Sequence, residues 1–163
     1  MKIGRAFLAG VIGAVAMSAI LWIARNWMGI PAHMEIMLGT MVVREAAMTA
    51  WLVGFAIHLL TGGVLALVYA WAFEHITHRA GLLVGVGFGL VHAVIAGLGN
   101  TIIPAIHPMI PERMPAPGAF MANLGVIGII AEFALHAVYG AIVGALYGPV
   151  MRERVPQSVV ASS

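Results

Sequence analysis

Residues 46–73 read AAMTAWLVGFAIHLLTGGVLALVYAWAF, a stretch without one charged side chain. It exceeds the ~20 residues with which a helix crosses a hydrocarbon core about 30 Å thick. Residues 6–24 and 80–103 are likewise uncharged, and residues 120–150 are interrupted only by Glu132. The reading is an all-α protein of four transmembrane helices. Composition agrees: of 163 residues, 62% are hydrophobic and 9% charged, against about 25% charged in an average soluble chain. The chain has no Asp, Lys2 is its single lysine, and the net charge is +2 without a basic stripe. That excludes a disordered chain and a nucleic-acid binder. With no Cys there is no disulfide, thiolate metal ligand or cysteine-held cluster.

The first span, preceded by Lys2 and Arg5, could also be read as a cleaved signal peptide. Its apolar run is longer than the ~7 to 15 residues of a signal core, and it is read as a helix that stays. Lys2, Arg5, Arg79, Arg152 and Arg154 fall at one end of the spans, with Glu74 and Glu153; Arg25, Arg44 and Arg113 fall at the other, with Glu35, Glu45 and Glu112. The excess of positive charge puts both termini in the cytoplasm. Trp22, Trp27 and Trp51 are then expected at the outer interface, and Tyr69, Trp71 and Tyr147 at the inner one. One membrane domain covers residues 1–154, and the small, polar residues 155–163 read as a disordered tail.

The chain also repeats itself. His58-x3-Gly62-x3-Ala66-x2-Tyr69 recurs 78 residues later as His136-x3-Gly140-x3-Gly144-x2-Tyr147, and Pro31 with His33 corresponds to Pro104 with His107. Two like helical hairpins, residues 1–78 and 79–154, would pack about an axis along the membrane normal. Positions four, eight and eleven apart share a helix face, so these are small-residue faces that let helices approach closely in lipid. His92 lies on a third such stripe with Gly85, Gly89, Ala96 and Gly99.

Ala16-Met17-Ser18, Met37-Leu38-Gly39 and the His-x-x-Tyr-Gly-x3-Gly-x2-Tyr-Gly pattern of residues 136–148 resemble a family of small bacterial four-helix membrane proteins of unknown function. The resemblance spans most of the chain and implies a location in the bacterial inner membrane, with no established activity. Glu132 is outside that pattern.

A charge at mid-membrane costs about 2.5 to 3.5 kcal/mol on insertion scales, so an intramembrane polar group marks a candidate site. His58, His92, Glu132 and His136 all fall close to the midpoints of their spans. Glu132 and His136 are four apart on one face, the spacing with which a helix offers a carboxylate and an imidazole to one metal. The repeat aligns Glu132 with Gly54, so the symmetry is broken where an ionisable group appears. The four residues suit copper, iron or zinc, and His58 with His136 would instead hold a haem of the b type. Hydrogen bonding between helices accounts for the same histidines without any ligand. Outside the spans, His33, Met34, Met37 and Met41 are echoed by His107, Met109 and Met114. Thioether with imidazole selects copper, which would load through these residues; the methionine spacing equally fits an apolar helix lying on the membrane. His75 and His78 read as solvated.

No nucleophile with a base and no phosphate-binding glycine loop is present, which argues against an enzyme. The expected function is a multi-pass membrane protein with a midplane His/Glu site for a metal or haem. Its alternatives are a structural subunit of a membrane complex, docked through glycine faces, and a small proton-coupled transporter working as a homodimer. In the first alternative the polar side chains should point to different outer faces.

Overall fold

The computed structural model describes residues 1–31, 33–45 and 47–150. The expected tail at 155–163, and Arg152, Glu153 and Arg154, lie outside the described residues. The elements are α1 (Ile3–Met28), α2 (Met34–Thr40), α3 (Met48–Ala72) continued by a π-helical turn (Phe73–Thr77), α4 (Leu82–Gly99), α5 (Ile103–Ile106), a 3-10 segment (Ala119–Leu124) and α6 (Val126–Tyr147). Four of them, α1, α3 with its π turn, α4 and α6, are long and apolar enough to cross a membrane. The protein is an all-helical bundle with the form of a multi-pass membrane protein.

Helix ends follow local chemistry. Gly29 adopts φ 67°, and the amides of Gly29 and Ile30 both turn back to the Ala24 carbonyl, which closes α1. The fourth span is shorter than its apolar run because Gly125, at φ 75°, separates α6 from the 3-10 segment. Within that segment Phe120 and Met121 hold left-handed φ values of 52° and 58°, an uncommon conformation for side chains of that size.

Size decides which residues face inward. On α4 the buried residues are Gly85, Gly89, Ala93 and Gly97, whereas Leu83 and Ile95 stay 82% and 65% exposed. Lipid tails are as apolar as leucine, so large aliphatic side chains gain nothing by turning inward. Close helix approach is what small residues supply. The backbones of α4 and α6 touch where Gly85 and Gly89 meet Gly140, Gly144 and the His136 carbonyl. Gly10 and Gly62 do the same for α1 and α3, and α1 also packs along α6.

The end of the bundle where Lys2 and Arg5 meet Pro149 and Leu146 is closed by interlocked rings. Phe73 lies 5.5 Å from Phe88 and 5.6 Å from Tyr147, and Tyr69 lies 6.3 Å from Phe73. Tyr147 donates to Glu74 at 2.5 Å and accepts from the Lys2 amide at 3.1 Å, while Arg5 donates to the Leu146 carbonyl at 2.6 Å. Cations at the end of α6 complement its unsatisfied carbonyls. Tyr69 and Tyr147 are therefore not the interfacial belt expected from sequence: they are buried, and their hydroxyls serve partners inside the bundle. Trp22, Trp27 and Trp71 do stand exposed.

At the opposite end, α2 folds back against α3. Gly54 meets the Glu35 carbonyl, and Gly39 meets the Ala50 carbonyl. Gly54 is the position that the sequence repeat aligns with Glu132. A glycine there admits the backbone of α2.

Candidate functional site

Between α1, α2, α4, α6 and the proline-rich loop lies a cavity of about 480 Å³, within the range of small-molecule sites, about 300 to 1,000 Å³. Its lining runs from His33, Pro115 and Pro117 in the connecting segments to Met17, Leu21, Glu132, Leu135 and His136 within the spans. The sequence did not foresee it.

Glu132 is 4% exposed, and its Oε1 is a buried side-chain atom with no hydrogen-bond partner. His136, one turn on, donates from Nδ1 to the Glu132 carbonyl at 2.7 Å and stands 3.7 Å from Oε1. With Nδ1 carrying that proton, the neutral ring offers Nε2 as an acceptor. The His92 ring meets His136 edge-to-face at 4.6 Å, and His92 Nδ1 shares a hydrogen bond with the Tyr69 hydroxyl at 3.1 Å. Tyr139 lies against both Tyr69 and His92 and donates to the Gly62 carbonyl at 2.5 Å.

The structure thus joins Glu132, His136 and His92, and adds Tyr69 and Tyr139. His58 is held apart, with Nδ1 on Ser18 Oγ at 3.0 Å. Among the described residues no three His or Glu side chains form a group that could hold one metal ion. The ring in contact with His136 is that of His92, whereas two imidazoles sharing a haem iron lie on opposite sides of the macrocycle.

The loop residues expected to load copper serve other ends. Met34 and Met37 line the cavity, and Met41 follows α2, exposed. Met109 is buried, and His33 stays exposed at the mouth. His107 has neither nitrogen free: Nε2 donates to the Met37 carbonyl at 2.9 Å and Nδ1 accepts from the Met109 amide at 3.1 Å. It fastens the proline-rich loop to α2. His107→Ala leaves the Met37 carbonyl and the Met109 amide without this partner, at about 1 to 3 kcal/mol. Faster proteolytic cutting between residues 107 and 118, with a lower melting temperature, is the expected result; unchanged cutting would refute the fastening role. His75 and His78 are exposed, as expected, and donate to the Trp71 and Glu74 carbonyls.

Sequence reasoning missed Tyr139, Ser18 and the cavity. Tyr139 carried a usable signal, since it follows His136 by three residues and so shares its face.

Comparison with family models, with curated proteins and with solved structures gives no match for this chain.

Proposed function

We propose that the protein binds a small amphiphile, taking its apolar body into the loop-end cavity and its polar end onto Glu132 and His136. The observation that carries this reading is Oε1 of Glu132, buried without a partner in the wall of a ligand-sized cavity. An unsatisfied buried polar group in a folded protein calls for a specific reason, and a missing ligand is one. The polar side chains also converge inside the bundle, which speaks against a subunit that merely docks through its outer faces. The reading includes membership of the small bacterial membrane proteins that the sequence resembles. With it come an inner-membrane location and cytoplasmic termini, supported by Lys2, Arg5 and Arg79 at one end of the spans.

A transition metal or haem is the competing occupant of Glu132, His136 and His92. Two measurements on one preparation, from cells grown with ample iron, copper and zinc, separate the readings. In lipid nanodiscs the uncharged dye Nile red should show a component that saturates at one dye per chain and is absent from empty discs. Ala96→Phe, which puts a ring into the cavity from α4, should remove it. Elemental analysis and an optical spectrum should give neither stoichiometric metal nor a Soret band. Saturable dye binding unaffected by Ala96→Phe would refute the cavity reading, and a Soret band would replace it with a haem protein.

A further inference from the structure

Among the described residues, the fully buried side-chain nitrogen and oxygen atoms have hydrogen-bond partners with one exception. His58 has Ser18, His92 has Tyr69, Tyr139 has the Gly62 carbonyl, and His107 has Met37 and Met109. Glu132 Oε1 alone is buried without a partner. In apolar surroundings a carboxyl group is stable in two ways, carrying a proton or paired with a cation. Among the described residues, no Lys or Arg lines the cavity wall. The titratable side chains on the surrounding elements are His136, Tyr139 and Tyr147 on α6 itself, His92 on α4, His58 and Tyr69 on α3, His33 and Glu35 at α2, Arg5 and Arg25 towards the two ends of α1, and His107, Glu112 and Arg113 on the proline-rich loop. The histidines among them are engaged as described, apart from Nε2 of His136 and the exposed His33. Among the described residues no permanent positive charge shares the cavity wall with Glu132.

We propose that the ligand is a lipophilic monocation, such as a protonated amine on an apolar body, and that it binds in exchange for the proton of Glu132. This rests on the cavity reading and narrows it to one chemical class. No covalent bond changes: the proton leaves Glu132 for water at the loop end, the cation takes its place beside the carboxylate, and the site keeps its net charge. The rest of the wall suits such a guest. Met17, Met34, Met37, Met114 and Met121 line the cavity with thioethers, which are polarisable enough to sit against a cation and flexible enough to fit differing shapes.

The test uses the full chain in nanodiscs, with two radiolabelled cations of different size and their neutral counterparts. 1-Aminoadamantane is paired with 1-adamantanol, and tetraphenylphosphonium with triphenylphosphine oxide. At least one cation should bind saturably at one per chain, about tenfold or more tighter than its neutral counterpart, the scale of an interaction with a charged group. Binding should weaken as the pH falls, and a pH-sensitive dye in weak buffer should record one proton released per cation bound. Glu132→Gln should remove the cation's advantage over the neutral compound and the proton release. Equal affinities for cation and neutral compound, or full cation binding by Glu132→Gln, overturn the proposal. If Ala96→Phe then abolishes both kinds of binding, the cavity reading survives and only the ligand class falls. If Ala96→Phe and a second filling variant, Ala116→Trp, leave all binding intact, the cavity reading fails with it.

Discussion

Gly140→Ala should destabilise the protein by about 2 kcal/mol or more, the upper range for forcing extra methyl groups into a packed interface. Gly140→Leu should leave no monodisperse folded protein. A methyl group on Gly140 would meet the carbonyl oxygen of Gly85, and one on Gly85 would meet the carbonyl oxygen of Gly140, so backbone and not a flexible side chain has to yield. Gly87, two residues along α4 from Gly85, has nothing within 4 Å of such a group. Gly87→Ala should therefore be neutral or slightly stabilising, since alanine favours a helix over glycine by about 0.5 to 1 kcal/mol. Circular-dichroism melts in detergent, with size-exclusion chromatography, read both; with no Cys in the chain, thiol-reactive dyes report nothing. Equal melting temperatures for the two alanine variants would refute the backbone contact. The same contact positions the site, because Gly89 rests on the His136 carbonyl. A wider α4–α6 spacing would carry His92 away from His136.

Glu132→Met should raise stability while removing the site. An unpartnered buried polar group costs about 1 to 3 kcal/mol, and Oε1 of Glu132 is such a group. Methionine is close in length and is already the commonest residue of the cavity wall. An increase of about 2 kcal/mol is expected, seen as a higher melting temperature for the unliganded protein. Saturating ligand should reverse the order, since a molecule that binds only the folded wild type stabilises it in proportion to the logarithm of its concentration. A lower melting temperature for unliganded Glu132→Met would mean that the carboxyl group is a structural partner, and the functional reading would lose its principal support. A residue that destabilises its own fold and improves a site is the usual trade between stability and activity.

Much of the architecture is written in the sequence because the bilayer asks a simple question of each residue. Unbroken apolar runs give four spans, and small residues at four-residue spacing give the contacting faces. Gly85, Gly89, Gly140 and Gly144 meet across two helices as those stripes imply. A stripe does not say which neighbour it meets. His58 and His92 lie on equivalent-looking faces, yet α4 lies against α6, so His92 reaches His136 while His58 turns to Ser18 on α1. Depth along a helix axis was legible and rotation about it was not, which is why four residues at one level did not make one cluster. The belt assignment of Tyr69 and Tyr147 failed for a related reason. An amphipathic ring near a span end has two stable places, the interface or a hydrogen-bonded interior, and the choice depends on whether Glu74 and His92 are within reach. The folding back of α2, and so the roof of the cavity, depends on backbone contacts at Gly39 and Gly54 that no side-chain pattern announces.

The interlocked rings of Tyr69, Phe73, Phe88 and Tyr147 bear on energetics beyond packing. They close the bundle at the end where Tyr147 meets Lys2, so in the proposed exchange an incoming cation and a departing proton would share one path in opposite directions. Moving one elementary charge through a potential of 100 mV is worth about 2.3 kcal/mol, but two equal charges exchanged along one path do no net electrical work. Occupancy is then indifferent to membrane voltage and responds to the acidity and cation content of a single compartment. In this conformation the proposed exchange would harvest no gradient and would respond to the chemical composition of one side.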